Sequence, residues 1–196
     1  MSPWVKQSKK SVIREYVESI AIAVVLALAI RTFVVQAFKI PTGSMRPTLM
    51  EGDRILVNKF LYGAKLPGTP WQLPAVRPPH RGDIIVFRAP DDEHRDFIKR
   101  LVATEGELVE IRQSQLWVNG IPVDVPPIFR ERTYYNRGEY GRAGAPVRVP
   151  KGFYFVLGDN SASSRDSRYW GFLPKQNMIG KAMVIYWPLK RIQVLR

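Results

Sequence analysis

The chain has 196 residues, 45% hydrophobic and 24% charged, a balance that supports one ordinary domain, or an anchor plus a smaller domain, and excludes wholesale disorder. It contains no cysteine, which excludes a disulfide framework, a thiolate zinc or iron–sulfur centre and a cysteine nucleophile. Thirty Lys+Arg against 17 Asp+Glu give a formal charge of +13, which points to an anionic partner such as nucleic acid or lipid head groups.

In chain order, the first element is Ile20 to Ile30, an unbroken apolar run of eleven residues, too short alone to cross a bilayer. Extended past Arg31 and Thr32 to Phe38, it reaches about twenty residues, the length of a helix spanning a ~30 Å hydrocarbon core. The expected transmembrane helix is 16–38. Arg31 costs about 2.5–3.5 kcal/mol near mid-bilayer. In the second half of the span, however, its stem can carry the guanidinium to the far interface. The basic stretch Lys6, Lys9, Lys10 and Arg14 before the run also has the outline of a cleaved leader. A cleavage site needs small residues after the run, whereas Arg31-Thr32-Phe33-Val34-Val35-Gln36 is bulky, so an attached anchor is the expectation. Basic residues before the span, with only Lys39 close behind it, place 1–15 in the cytoplasm and 39–196 outside.

Beyond Lys39 the pattern is mainly β. Arg54 to Val57, Asp83 to Phe87, Phe97 to Val102, Gly152 to Leu157 and Ala182 to Trp187 are short β-branched and aromatic runs bounded by Gly, Pro or Asp. Asn119-Gly120 between two apolar stretches signals a tight hairpin, and Pro122 behind it favours an edge strand. Prolines make Leu66 to His80 an extended loop, in which Trp71 is read either as dipping into a membrane interface or as core. Pro126 to Pro150 has no clear period. The expected fold is mainly β, an antiparallel β domain with a smaller inserted β region at about 106–150, anchored by one N-terminal helix.

Nucleic acid is not the favoured partner. The nearest thing to a patch is Arg130, Arg132, Arg137, Arg142 and Arg148 with Tyr134, Tyr135 and Tyr140, but elsewhere the basic residues are scattered and often sit beside acids. A basic domain tethered to anionic membrane lipids gains about 1 kcal/mol per Lys or Arg near the surface, a sufficient use for the charge.

Just after the expected span, Pro41, Gly43 and Pro47 impose a turn on Ile40 to Leu49. Its hydroxyls, Thr42 and Ser44, suit backbone bonding in such a turn. Ser44 acquires a chemical reading if a base can reach it. The two histidines, His80 and His94, lie in polar, loop-like stretches. A lysine can serve if burial holds it neutral. In Asp96 to Val102, alternation puts Phe97 and Leu101 on the face of Lys99, while Ile98 and Val102 flank Arg100 in the same way. Chemistry separates the two, because arginine stays charged and cannot act as a base. An edge-strand lysine guarding against aggregation is the alternative for Lys99.

These residues resemble the type I signal peptidases, membrane-bound serine–lysine proteases. Four blocks carry the likeness in the family's order: Pro41 to Leu49 followed by Glu51-Gly52-Asp53; Arg81 to Phe87; Phe97 to Val102; and Gly158-Asp159-Asn160 followed by Asp166-Ser167-Arg168-Tyr169-Trp170-Gly171. The resemblance implies Ser44 as the acylated nucleophile, Lys99 as its neutral base, and an oxyanion hole from the Ser44 N–H and the Thr42 hydroxyl. It also implies that Ser164 orients the Lys99 amine and that Arg100, Asp159, Asp166 and Arg168 form structural ion pairs. Ser161-Ala162-Ser163-Ser164-Arg165 departs from the family's Arg-Asp-Asn run before its serine. The resemblance further implies no metal and no cofactor, signal-peptide-bearing preproteins as substrates, and a place in the cell's inner membrane near the secretion translocase, with the catalytic domain on the outer face. Two other readings are carried. One is an anchored external binding protein with Ser44 in a structural turn; the other is a Ser–Lys peptidase dedicated to one protein.

Overall fold

The computed structural model describes residues 12–63, 69, 71 and 73–195. Most of the expected cytoplasmic segment 1–15, with Lys6, Lys9 and Lys10, lies outside the described residues, as does part of the proline-rich loop. The first helix, α1 (Val12–Ala29), continues as a single π turn over Ile30–Val34 and then gives way to strand β1 (Val35–Lys39). The end of the expected 16–38 helix is therefore strand. The reason is tertiary: β1 pairs antiparallel with β2 (Arg54–Asn58), Val35 opposite Asn58 and Lys39 opposite Arg54, and so its backbone groups enter a ladder. Arg14, Glu15 and Glu18 occupy the first two turns of α1, and among the described residues no helix is long and apolar enough to cross a membrane. Its apolar side chains, including Ile20, Ile22, Val24, Val25, Leu26 and Leu28, are exposed.

The remainder is antiparallel β in two sheets. Its strands are β3 (Ile84–Ala89), β4 (Asp92–Ala103), β5 (Leu108–Arg112), β6 (Gln115–Val118), β7 (Ile121–Pro122), β8 (Val147–Arg148), β9 (Phe153–Leu157), β10 (Leu173–Pro174), β11 (Met178–Trp187) and β12 (Gln193–Val194). The larger sheet runs β1-β2-β11-β3-β4-β9-β10, with β12 also paired to β11, and the smaller runs β7-β6-β5-β8. One-turn helices α2 (Ile128–Glu131) and α3 (Ser167–Trp170) decorate the loops.

Strand β3 is buried on both faces, which accounts for its continuous apolar run. Ile84 and Val86 join Ile40, Met45, Leu49, Ile55, Val57 and Ile185 in one cluster; Ile85 and Phe87 join Tyr62, Leu101, Val156 and Leu173 in another. A third cluster, around Val109, Ile111, Leu116 and Val118, seats the smaller sheet on Val102, Phe155 and Leu157. In that sheet Asn119 and Gly120 both adopt positive φ, +54° and +79°, the backbone that a two-residue hairpin needs and that Asn-Gly tolerates. Pro122 lies on the edge strand β7, where its missing N–H costs no ladder bond. Trp71 is 71% exposed and does not belong to the core.

Candidate active site

The turn Gly43–Met45 follows Thr42, which is extended (φ −135°, ψ 156°), and is pinned from below by buried Met45 and Leu49. Its far end is closed by Asp53, whose carboxylate accepts from the Met50 N–H at 2.8 Å and from the Arg191 guanidinium at 2.8 and 3.0 Å. Ser44 is thereby carried on a short loop with both ends fixed.

Lys99 stands opposite Ile85 on β4 and is only 4% exposed. Its Nζ lies 2.8 Å from Ser44 Oγ and 2.9 Å from the Ile98 carbonyl oxygen, with the Phe97 ring centroid 5.4 Å away. Burial pushes the amine down from 10.5 to about 8. Asp166 and Asp159 pull the other way and Arg168 pushes with the burial. Desolvation wins because both carboxylates are already engaged by arginines. An amine near neutrality beside a hydroxyl is the pair that general-base activation of a serine requires. The histidines do not compete: His80 and His94 are both exposed.

Arg100, one residue on, faces the other way. Its Nε and Nη2 reach Asp159 Oδ1 and Oδ2 at 2.8 and 2.6 Å, and its Nη1 donates to the Gly82 carbonyl at 2.7 Å. Thr48 Oγ1 also donates to Asp159, joining the Ser44 loop to this buried pair. Arg168 makes the second buried pair, with Nε and Nη2 on Asp166 at 2.8 and 2.7 Å. Asp166 in turn accepts the Gly158 N–H at 2.9 Å. The divergent stretch has its own support, since Ser161 Oγ accepts from Arg168 Nη1 at 2.7 Å and from the Tyr135 N–H at 2.9 Å.

Ser164 is 6% exposed, and its Oγ makes no hydrogen bond among the described residues. This departs from the orienting contact that the resemblance implies: the Ile98 carbonyl, not Ser164, holds the amine. Thr42 is exposed and its side chain does not cap the turn. Thr48 and Asn160 lie inside the quoted blocks without a role assigned to them, and the Ile98 carbonyl, a backbone group, is reported by no side-chain pattern. Gly158 has a plain steric role. A Cβ there would stand 2.2 Å from Ser164 Oγ and 2.5 Å from the Ser44 carbonyl oxygen, so three segments close on one another only because the side chain is missing.

The family model described as signal peptidase, peptidase S26, matches residues 13–187. The chain belongs to the signal peptidase family, peptidase S26. It is a hydrolase and a serine peptidase. A probable signal peptidase I-2 from Synechocystis is 40% identical over 178 residues, covering 88% of this chain and 72% of the relative. Signal peptidase I from Pseudomonas aeruginosa is 35% identical over 217 residues, covering 93% of this chain and 76% of that protein. A crystal structure of a signal peptidase I from Enterococcus faecalis matches with a TM-score of 0.46 at 32% identity, covering 55% of this chain and 98% of the other.

Proposed function

We propose that this peptidase removes N-terminal signal peptides from translocated preproteins through a Ser44/Lys99 dyad. The observation that carries the reading is the 2.8 Å contact between Ser44 Oγ and a buried lysine amine. Neutral Lys99 accepts the Ser44 hydroxyl proton as Oγ bonds to the scissile carbonyl carbon. The Ser44 N–H and the Thr42 hydroxyl serve the oxyanion, a contribution commonly worth about 3–4 kcal/mol. The protonated amine then gives its proton to the leaving nitrogen as the C–N bond breaks, and a water, deprotonated by the same amine, hydrolyses the acyl-enzyme.

The anchor belongs to the same proposal. The exposed apolar side chains of α1 call for an apolar surrounding, and the helical run Val12 to Val34 is roughly 34 Å long at about 1.5 Å per residue. Membrane lipids supply that surrounding: α1 by itself is not long and apolar enough to cross, with Arg14, Glu15 and Glu18 in its first turns, so the proposed span is the run continued through the π turn, the Arg14–Glu18 pair at one interface and Arg31 toward the other. The catalytic domain then sits on the outer face of the inner membrane, beside the exit of the secretion translocase. Cleavage of a preprotein with a small-x-small leader by the detergent-purified protein, followed by mass spectrometry, tests the reading. A cut after the small residue that Ser44→Ala abolishes supports it; an intact preprotein with folded wild type, or a cut that survives Ser44→Ala, overturns it.

A further inference from the structure

Asn160 donates twice into the Ser44 turn. Its backbone N–H reaches the Ser44 carbonyl oxygen at 3.0 Å, and its Nδ2 reaches the Gly43 carbonyl oxygen at 3.0 Å. The Gly43 carbonyl takes a further bond from the Arg46 N–H at 3.1 Å. In a planar trans peptide the C=O and the following N–H point in opposite directions. The Gly43 C=O and the Ser44 N–H belong to one peptide unit, so holding the carbonyl from one side fixes the direction in which the N–H points on the other. Asn160 can do this because it is itself held. Next to it Asp159 is locked by Arg100 and Thr48, and the Asn160 carbonyl accepts the Ser163 N–H at 3.0 Å.

We propose that Asn160 is a positioning residue that aims the Ser44 backbone N–H at the developing oxyanion. The inference rests on the dyad reading above. The amide is the chemistry required, because the atom facing the Gly43 carbonyl must be a donor. A carboxylate of the same shape would place an acceptor against an acceptor. Nδ2 touches no reacting atom; its effect passes through the peptide plane.

The test uses the full chain in detergent, wild type beside Asn160→Asp, which keeps the shape and the backbone N–H, and Asn160→Ser, which is smaller and neutral. Three quantities are read: kcat and KM on a peptide with a small-x-small site, inhibition by the matching peptide aldehyde, which forms a tetrahedral adduct with a serine, and inhibition by the matching alcohol, which cannot. For Asn160→Asp, kcat falls about 10- to 100-fold with KM within about twofold, because the lost interaction acts in the transition state. Aldehyde inhibition weakens by a similar factor and alcohol inhibition does not; the acid limb of the rate profile is read on the neutral Asn160→Ser, where it stays in place, because a carboxylate at 160 would itself raise the Lys99 pKa. Asn160→Ser shows the same pattern with a smaller loss. Unchanged kcat, a loss confined to KM, equal weakening of aldehyde and alcohol, or an acid limb displaced in Asn160→Ser would each overturn the role, since these mark an absent or merely structural contribution. If one variant fails to fold, the other carries the same comparison. Wild type that leaves the peptide intact, or Ser44→Ala that cuts it, overturns the dyad reading instead.

Discussion

Lys99 and Arg100 are neighbours on one strand, both nearly sealed from solvent at 4% and 2% exposure, yet their surroundings differ completely. Arg100 meets a carboxylate bidentately and a backbone carbonyl, so its charge is compensated. Lys99 meets a hydroxyl, a carbonyl and an aromatic ring, none of which carries a full negative charge. A buried cation with a partner stabilises a particular arrangement of the chain, whereas one without a partner is driven toward its neutral form. Strand alternation puts these two outcomes on opposite faces of β4.

The comparison is broken most severely at Lys99 itself. Lys99→Arg, which keeps charge and approximate length but cannot give up its proton, lowers kcat/KM by at least about 1,000-fold, as does Lys99→Ala, read by peptide turnover. Arg100→Ala strands Asp159 without its main partner and lowers stability by about 3–5 kcal/mol, read by denaturant unfolding of the purified protein. Lys99→Met runs the other way. The native pKa is depressed from 10.5 to about 8, so between those values the unfolded chain binds more protons and wild-type stability rises with pH; below about 8 the full penalty of the buried charge remains. At pH 7 the Met variant is therefore inactive but more stable, by up to about 3 kcal/mol, and the gain shrinks as pH climbs toward 10.5. The smallest effect belongs to a surface pair, Lys175–Glu105, both partners about 40% exposed: Glu105→Ala leaves the denaturant midpoint close to that of wild type.

Legibility in the sequence follows what is local. The runs around Ile84, Lys99 and Phe155 declared themselves as strands by residue type, and Asn119-Gly120 marked its hairpin, because propensity and turn chemistry act over a few residues. The change from helix to strand near Val34 was not legible, since Val35 to Lys39 continues the apolar pattern and becomes a strand only by pairing with Arg54–Asn58. Within the inserted β region expected at about 106–150, β5 shows the alternation of a half-buried strand, Val109 and Ile111 inward between Glu110 and Arg112, whereas β8, at two residues, is too short to have a period. At the candidate site, Ser44 and Lys99 were visible as residue types that suit the chemistry, with the family blocks behind them. The supports were not. Ser161 satisfies Arg168 through a hydroxyl that looks ordinary in a serine-rich stretch, and the contact of Ile98 with Lys99 Nζ is made by a backbone carbonyl that no side-chain pattern reports.

The central claim, that burial makes Lys99 the base for Ser44, is tested most directly by kcat/KM as a function of pH on a peptide without titrating groups in the range. Neutral amine is the active form, so the rate falls as pH falls, tenfold per unit, below a single apparent pKa near 8. A profile flat from pH 5 to 9 contradicts the claim.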